Sequence, residues 1–397
     1  MTNSVVHGLP RWSLAVPPLA LVVLVLSWGR DLGTVLLVLV CAGLGAAVIA
    51  AVHHAEVVAH KVGEPFGTLI LALAVTVIEV ALIVTLMASG GDKAASLARD
   101  TVFAAVMITC NGILGLSLVV GSLRHRTQQF RVHASGSALA VITALVTLSL
   151  VLPTFTTSTP GATFSSAQLA FAGVVSLVMY GVFVFVQTIR HRDYFLPVEN
   201  EAVVAAPRTQ ARREVPEADA EVGADVVAEI VEGEDDDEET HAAAPSGRVA
   251  LVSLGMLFLC LIAVVGLAKT VSPKLEDAVA SAGAPVAVVG VIIALLVLLP
   301  ETVAAVRAAL RNRLQTSLNL ALGSALASIG LTIPAIALAS IWLDGPLVLG
   351  LSGTEMVLFA LTVVISQLTL ATGRATLLQG VTHLMVFSAF LFLAVSP

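Results

Sequence analysis

The sequence predicts an all-α membrane protein with about eleven transmembrane helices. Hydrophobic residues make up 57% of the 397 residues and charged residues only 12%, a balance that soluble domains do not show. The apolar residues fall in runs of about twenty, the length that an α-helix needs to cross the hydrocarbon core. A transmembrane β-barrel would instead show short segments of alternating hydrophobicity. Helices are therefore predicted for every span.

Six apolar segments of spanning length precede a long polar interval and five follow it. The first has no small-residue cleavage site, so we expect an uncleaved span rather than a signal peptide. The predicted spans cover 13–29, 33–52, 67–88, 101–123, 136–152, 166–188, 249–268, 285–306, 317–342, 351–371 and 377–395.

Lys and Arg residues are distributed unevenly between the two sides of these spans. Five of the twenty basic residues lie on the far side: Arg30, Lys93, Arg99, Lys269 and Lys274. The other fifteen lie in loops on the side of the N-terminus. Because positive charge accumulates on the cytoplasmic side, we expect a cytoplasmic N-terminus and an external C-terminus in a bacterial inner membrane.

The polar interval at 191–248 contains EGEDDDEET and little apolar sequence, which is typical of a disordered cytoplasmic linker. A solvated linker and a calcium-attracting or regulatory segment both fit this composition. If residues 1–32 form an extra first helix, 33–190 and 249–397 each hold five spans. Corresponding spans then cross in opposite directions, so the sequence predicts two inverted-topology repeats with a substrate site between them.

Glu79 and Glu301 are each a lone carboxylate inside a long apolar run, LILALAVTVIEVALIVTLM and APVAVVGVIIALLVLLPETVAAV. They fall in the third and eighth spans, at comparable positions of the two halves. A charge at membrane depth costs several kcal/mol on insertion scales and generally marks an ion, a proton or a partner. The two glutamates therefore predict one shared site, although two acids satisfied separately by neighbouring helices would give the same pattern.

Two carboxylates in an enclosed site match the charge of a hard divalent cation such as Ca²⁺, which takes six to eight oxygen ligands. Without the cation, mutual repulsion and loss of hydration favour proton binding instead. One site that holds either a cation or protons is what cation/proton exchange requires.

Further oxygens lie near the two acids in the sequence. Thr76 is three residues before Glu79, and the adjacent spans carry Asn111 and Ser324. These side chains are candidate metal ligands together with the glutamates, but small and hydroxyl residues also mediate ordinary helix packing. Pro300, beside Glu301, could free a carbonyl or simply kink its helix.

A second polar group precedes the third span in HHAEVVAHKVGEPFG, which contains His53, His54, Glu56, His60 and Glu64. It could form a vestibule that delivers ions to Glu79, or an ordinary interfacial loop, and its spacing matches no zinc motif. The last two predicted spans carry three polar residues that could line a route for ions to the site: Glu355, Gln367 and His383.

The segments GEPFGTLILALAVTVIEVALI and PETVAAVRAALRNRLQTSLNLALGSALASIGLTIP resemble the two repeat motifs of the calcium/cation antiporter superfamily, in its cation/proton exchanger branch. The resemblance extends to the acidic central loop and to TGRATLLQG before the last span. It implies that Glu79 and Glu301 bind the cation and the exchanged proton. It also implies that Asn111 and Ser324 supply polar ligands.

The motifs depart from that pattern where Gly-Asn usually precedes each key glutamate. Val75 and Thr76 occupy these places in the first motif, and Val297 and Leu298 in the second. A glutamine common after the second motif is Ala327. Fewer side-chain oxygens could shift the preference from calcium toward sodium or potassium.

Together these features predict a secondary antiporter that exports Ca²⁺ in exchange for H⁺, with Na⁺/H⁺ or K⁺/H⁺ exchange as the alternative. No phosphate-binding or nucleophile motif is found, so we expect a transporter without a cofactor rather than an enzyme. The expected partners are inorganic cations, protons and the lipid bilayer, and no nucleic acid is expected. The sequence is compatible with both a monomer and a homo-oligomer. A channel or a membrane scaffold is the remaining alternative.

Overall fold

The computed structural model describes residues 9–63, 66–90, 95–195, 245–342 and 347–397. The α-helices before the polar interval are α1 (Arg11–Ser27), α2 (Thr34–Val62), α3 (Phe66–Gly90), α4 (Leu97–Met107), α5 (Leu114–His125), α6 (Val132–Val146) and α7 (Ser166–Phe185). Those after it are α8 (Gly247–Ser281), α9 (Ala287–Val297), α10 (Leu299–Leu310), α11 (Leu314–Ala339), α12 (Gly353–Leu370) and α13 (Leu377–Val395).

Three of these helices continue into segments of different helical pitch. A π segment, Ile108–Ile113, joins α4 to α5 without a break, so that the two form one long span. Helices α6 and α7 also end in π segments, Thr147–Val151 and Val186–Arg190. One pair of two-residue strands, β1 (Gln128–Gln129) and β2 (Arg374–Ala375), pairs antiparallel and ties the loop after α5 to the loop before α13.

Each of the eleven predicted spans coincides in position with a helix or a helix pair. Among the described residues, eight helices are long and apolar enough to cross a membrane, and a bent pair adds a ninth. Arg11–Ser27 and the stretch Leu73–Thr85 of α3 are apolar but shorter. The protein is thus a helical multi-pass membrane protein, while the count of eleven spans stays a prediction.

Two helices extend well beyond the apolar runs that predicted them. Helix α2 continues past residue 52 to Val62, so its His and Glu residues belong to a helix and not to an interfacial loop. Helix α8 has 35 residues and reaches Ser281; at 1.5 Å per residue it is about 50 Å long, more than the hydrocarbon thickness. Hydropathy predicts the lipid-embedded part of a helix, not its polar extensions.

The linker predicted at 191–248 lies largely outside the described residues.

The eighth predicted span is broken, not continuous. Helices α9 and α10 meet at Leu298 with a bend of 52°. Pro300 stands in the first turn of α10 and has no N–H to donate to the carbonyl of Leu296, which explains the break. Glu301 therefore lies in the first turn of a helix rather than in the middle of one.

The described residues pack into two hydrophobic clusters. The first cluster is formed mainly by α1, α2, α3, α8 and α9, and the second by the helices from α4 to α7 and from α11 to α13. Helices α3 and α9 contribute to both, since Ile78 and Ile293 belong to the first cluster while Ile83 and Ala294 belong to the second. The two helices that lead to the glutamates thus lie at the junction between the clusters.

Glycines allow α5 and α13 to approach closely within the second cluster. A Cβ at Gly380 of α13 would come 2.7 Å from the backbone nitrogen of Val119, and one at Gly115 of α5 would come 2.9 Å from Cβ of His383. Close approach at small residues is a common basis of helix association in membranes.

Substitution of Gly380 by alanine should therefore destabilise the protein. The added methyl group meets backbone, which cannot move aside as a side chain can, and overpacking of this kind costs about 1–3 kcal/mol. Thermal unfolding of the detergent-solubilised protein should show a lowered midpoint for Gly380→Ala. The matched control is Gly136→Ala in α6, where a Cβ has no neighbour within 4 Å; equal midpoints for the two variants would contradict the prediction.

Candidate functional site

Glu79 lies in the middle of α3 and is 2% exposed. Its Oε2 accepts a hydrogen bond of 2.5 Å from the hydroxyl of Ser328 in α11. Its other oxygen, Oε1, is buried and has no hydrogen-bond partner. Half of the carboxylate is therefore oriented by the protein, and half is left without a donor.

Glu301 reaches the same region from the break between α9 and α10. Its Oε2 is buried without a hydrogen-bond partner, although the residue as a whole is partly exposed. A carboxylate in the first turn of a helix is favoured by the unpaired N–H groups and the positive end of the helix dipole. The break that Pro300 produces thus supplies local stabilisation for the charge of Glu301.

The two carboxylates lie close enough for their charges to interact, and Glu301 also interacts with the charge of Glu56 in α2. The ion pair between Arg99 and Asp100 involves neither acid. Within the described residues, neither Glu79 nor Glu301 forms an ion pair with a basic side chain. The charge of Glu79 thus acts on Glu301, while a shared ion site at the two residues stays a prediction.

The two hydroxyl residues predicted as ligands, Thr76 and Ser324, stand on the helices that carry Glu79 and Ser328. Thr76 is 3% exposed and one turn before Glu79 on α3. Thr302 donates to the carbonyl of Leu298 across the helix break, at 2.7 Å. Ser324 lies one turn before Ser328 on α11 and is partly exposed. The roles of Thr76 and Ser324 as cation ligands stay predictions.

Ser328 is the site residue that sequence reasoning missed. It is four residues after Ser324, so the two share one face of α11, and Thr332 follows after four more. Thr332 Oγ1 is also buried without a partner. The repeat of hydroxyl residues every four positions was the available signal, but only the packing of α11 against α3 shows which hydroxyl meets Glu79.

Asn111 lies in the π segment between α4 and α5, and its side chain is fully buried. Its Nδ2 donates to Thr362 Oγ1 of α12 at 2.9 Å, and its Oδ1 lies 3.1 Å from His383 Nδ1 of α13. The π segment also contacts α10 and α11, which carry Glu301 and Ser328. The hydrogen bonds of the Asn111 side chain therefore run to α12 and α13, and its role as a cation ligand stays a prediction.

His53 and His54 of α2 contact α1. His54 Nε2 donates to the carbonyl of Ser13 at 2.9 Å, and the ring of His53 lies 5.0 Å from that of Trp12. Among the group predicted as a vestibule, Glu56 is the residue whose charge reaches Glu301. Glu64 lies outside the described residues.

A site of this kind can bind cations or protons. Two buried carboxylate oxygens without donors carry a large desolvation cost unless something positive occupies the space between them. Within the described residues, no cluster of three or more His, Cys, Asp or Glu side chains forms a metal centre.

Both halves of the chain match one family model, described as sodium/calcium exchanger protein, over residues 32–189 and 252–396. The provisionally named ionic transporter y4hA of Sinorhizobium fredii is 45% identical over 391 residues, which is 98% of this chain and 97% of that protein. The sodium-potassium/proton antiporter ChaA of Escherichia coli is 35% identical over 385 residues, covering 96% of this chain and 94% of ChaA.

Two solved structures share the fold at low sequence identity. YfkE has a TM-score of 0.64 and 17% identity, with 95% of this chain and 96% of that chain covered. The H⁺/Ca²⁺ exchanger CAX has a TM-score of 0.61 and 15% identity, with 96% and 87% covered. The family match in both halves and the identity to full-length transporters lead to one conclusion: the chain belongs to the sodium/calcium exchanger family, within the calcium/cation antiporter superfamily, and is a membrane transporter and not an enzyme.

Proposed function

We propose that the protein is a cation/proton antiporter of the bacterial inner membrane that exports Ca²⁺ in exchange for H⁺. The observation that carries this proposal is the pair of buried, unpartnered oxygens, Glu79 Oε1 and Glu301 Oε2. A site with two unsatisfied carboxylates and no fixed countercharge is stable only when it holds a cation or protons. Occupancy by one ion species excludes the other, which couples their movements.

In this mechanism Ser328 orients Glu79, and the break at Pro300 places Glu301 at a helix start. Asn111, Ser324 and Thr76 are proposed to complete the cation shell with water. The site lies where the two hydrophobic clusters meet, so a relative movement of the clusters would change the side from which it is reached. The proton gradient then drives export of the cation, because the site alternates between its cation-bound and protonated states.

Sodium or potassium is the second candidate for the transported cation, and two observations favour it. The relative ChaA is a sodium-potassium/proton antiporter by name. Val75, Val297 and Leu298 are buried apolar residues near the glutamates and add no side-chain oxygen, although Ca²⁺ prefers six to eight. The carboxylate pair supports Ca²⁺, because a single-charged ion would neutralise only one of the two acids.

Glu79→Gln and Glu301→Gln should each abolish cation/proton exchange in everted membrane vesicles, since the amide can neither release a proton nor balance a cation. Fluorescent pH indicators report proton release after a cation is added, and size-exclusion chromatography reports folding. Asp277→Asn, at an exposed position of α8, is the control and should exchange normally. Near-normal exchange by either glutamine variant would refute the assignment.

The transported cation can be identified in the same vesicles by adding Ca²⁺, Na⁺ or K⁺ separately. The proposal expects proton release with Ca²⁺ at the lowest half-saturating concentration. Proton release with Na⁺ or K⁺ alone would establish the second candidate, and ion conductance without proton movement would indicate a channel.

Ser328→Ala should weaken cation binding more than Ser324→Ala. Hydrogen bonds to ionised groups contribute about 1.5–3 kcal/mol, and about 1.4 kcal/mol corresponds to a tenfold change in affinity. We therefore expect the half-saturating cation concentration of Ser328→Ala to rise about tenfold or more. A larger effect of Ser324→Ala would show that the sequence-predicted serine, and not Ser328, acts at the site.

A further inference from the structure

A second buried polar cluster is formed by Asn111, Thr362, Thr369 and His383, and the exchange mechanism uses only Asn111 of these four residues. Its side chains come from the π segment, α12 and α13, and each is at most 2% exposed. His383 Nδ1 lies 3.1 Å from Asn111 Oδ1, and His383 Nε2 lies 3.2 Å from Thr369 Oγ1. Asn111 Nδ2 lies 2.9 Å from Thr362 Oγ1.

The direction of every hydrogen bond in this cluster follows from one hydroxyl. Thr362 donates its proton to the carbonyl of Leu358 at 2.8 Å, so toward Asn111 it can only accept. Asn111 therefore presents Nδ2 to Thr362 and Oδ1 to His383. His383 then carries its proton on Nδ1 and donates to that oxygen, and the ring also hydrogen-bonds the backbone of Cys110 in the same π segment.

The remaining nitrogen of His383, Nε2, forms the last hydrogen bond of the series, with Thr369. The cluster contains no carboxylate to balance an imidazolium, and a buried unpaired charge is costly. The neutral ring fits, so Nε2 accepts from the hydroxyl of Thr369. The bonds then run in one direction, from Thr369 through His383 and Asn111 to Thr362, and all four side chains are satisfied.

This chain of bonds fixes the orientation of the Asn111 amide. A carbonyl oxygen has two lone pairs, and the bond from His383 uses one of them. The other is left for a further partner, on a segment that contacts α10 with Glu301 and α11 with Ser328. If His383 were apolar, only the bond to Thr362 would orient the amide. The amide could then turn together with the Thr362 hydroxyl and present its NH₂ group, which cannot bind a cation.

We propose that His383 is a positioning residue for cation binding, which through its Nδ1–H holds the oxygen of Asn111 ready to serve as a ligand. The inference rests on the proposed function, because it needs a cation at the acidic site. The arrangement follows a general rule for metal sites, in which an outer hydrogen-bond partner orients a ligand and its loss costs 10–100-fold in affinity or activity.

Four variants test the role of His383. His383→Leu removes both ring nitrogens, His383→Asn keeps an N–H donor at the position of Nδ1, and His383→Gln moves the donor toward the position of Nε2. Ser388→Ala is the control on the same helix, since that exposed hydroxyl bonds to the carbonyl of Leu384 within α13. Half-saturating cation concentration and maximal rate are measured in everted vesicles, and folding is measured by thermal unfolding of purified protein.

His383→Leu should raise the half-saturating concentration about 10–100-fold, with a smaller change in maximal rate. His383→Asn should restore most of the affinity, His383→Gln should restore less, and Ser388→Ala should match the unmodified protein. A double variant of Asn111→Ala and His383→Leu should be no worse than Asn111→Ala alone, because His383 acts through Asn111.

Three outcomes would overturn the inference while leaving the exchange function intact. They are an unchanged half-saturating concentration in His383→Leu, no difference between the Asn and Gln variants, and additive losses in the double variant. A fall in folded yield without a change in cation affinity would assign His383 a purely structural role and would also overturn it. Absence of exchange in the unmodified protein would instead refute the proposed function, and the inference with it.

Discussion

The burial of two carboxylates without a fixed positive charge is the constraint on which the rest of the structure depends. A charged group loses several kcal/mol of hydration when it leaves water, and a second like charge nearby adds to that cost. Glu79 and Glu301 each keep a buried oxygen with no donor. The unmet cost of burying this pair is the physical basis of the proposed exchange, because a bound cation or proton would offset it.

The fold meets this constraint with partial compensation. Ser328 satisfies one oxygen of Glu79, and the helix start after the break at Leu298 stabilises the charge of Glu301. Full compensation by an arginine or lysine would stabilise the site permanently and would remove the need for a cation or proton. The described neighbours therefore stabilise the two carboxylates only in part, and under the proposed function the transported ion contributes the remainder.

The two buried polar clusters differ in how completely their hydrogen bonds are satisfied. Around His383 every donor finds an acceptor, which is the usual condition for buried polar groups and which gives rigid, uniquely oriented side chains. Around Glu79 and Glu301 the hydrogen bonds are incomplete. Asn111 belongs to the satisfied cluster through its amide and lies on a segment that contacts the helices of the unsatisfied one. A rigid cluster beside an incomplete one is a suitable arrangement for orienting a ligand at a site whose occupant changes.

The positions of the helices could be predicted from the sequence, because apolar runs of spanning length are unambiguous in a membrane protein. The sequence also drew attention to Glu79 and Glu301, because a lone acid in such a run is costly at membrane depth. Their role in ion binding stays a prediction. The C-terminal ends of α2 and α8 could not be predicted, because the polar residues beyond each apolar run do not indicate that the helix continues. The break at Leu298 was only one of two outcomes that Pro300 allowed.

What the sequence alone determined is thus a set of apolar helices and two acids that must avoid lipid. Only the tertiary structure decided which neighbours those acids have. Ser324 and Ser328 share one helix face, and the angle at which α11 packs against α3 brings Ser328 to Glu79. Asn111 could face the acids or α13, and contact with His383, 272 residues away in the chain, decides its amide orientation. Side-chain partners between helices depend on crossing geometry and rotation, which the composition of a single helix does not specify.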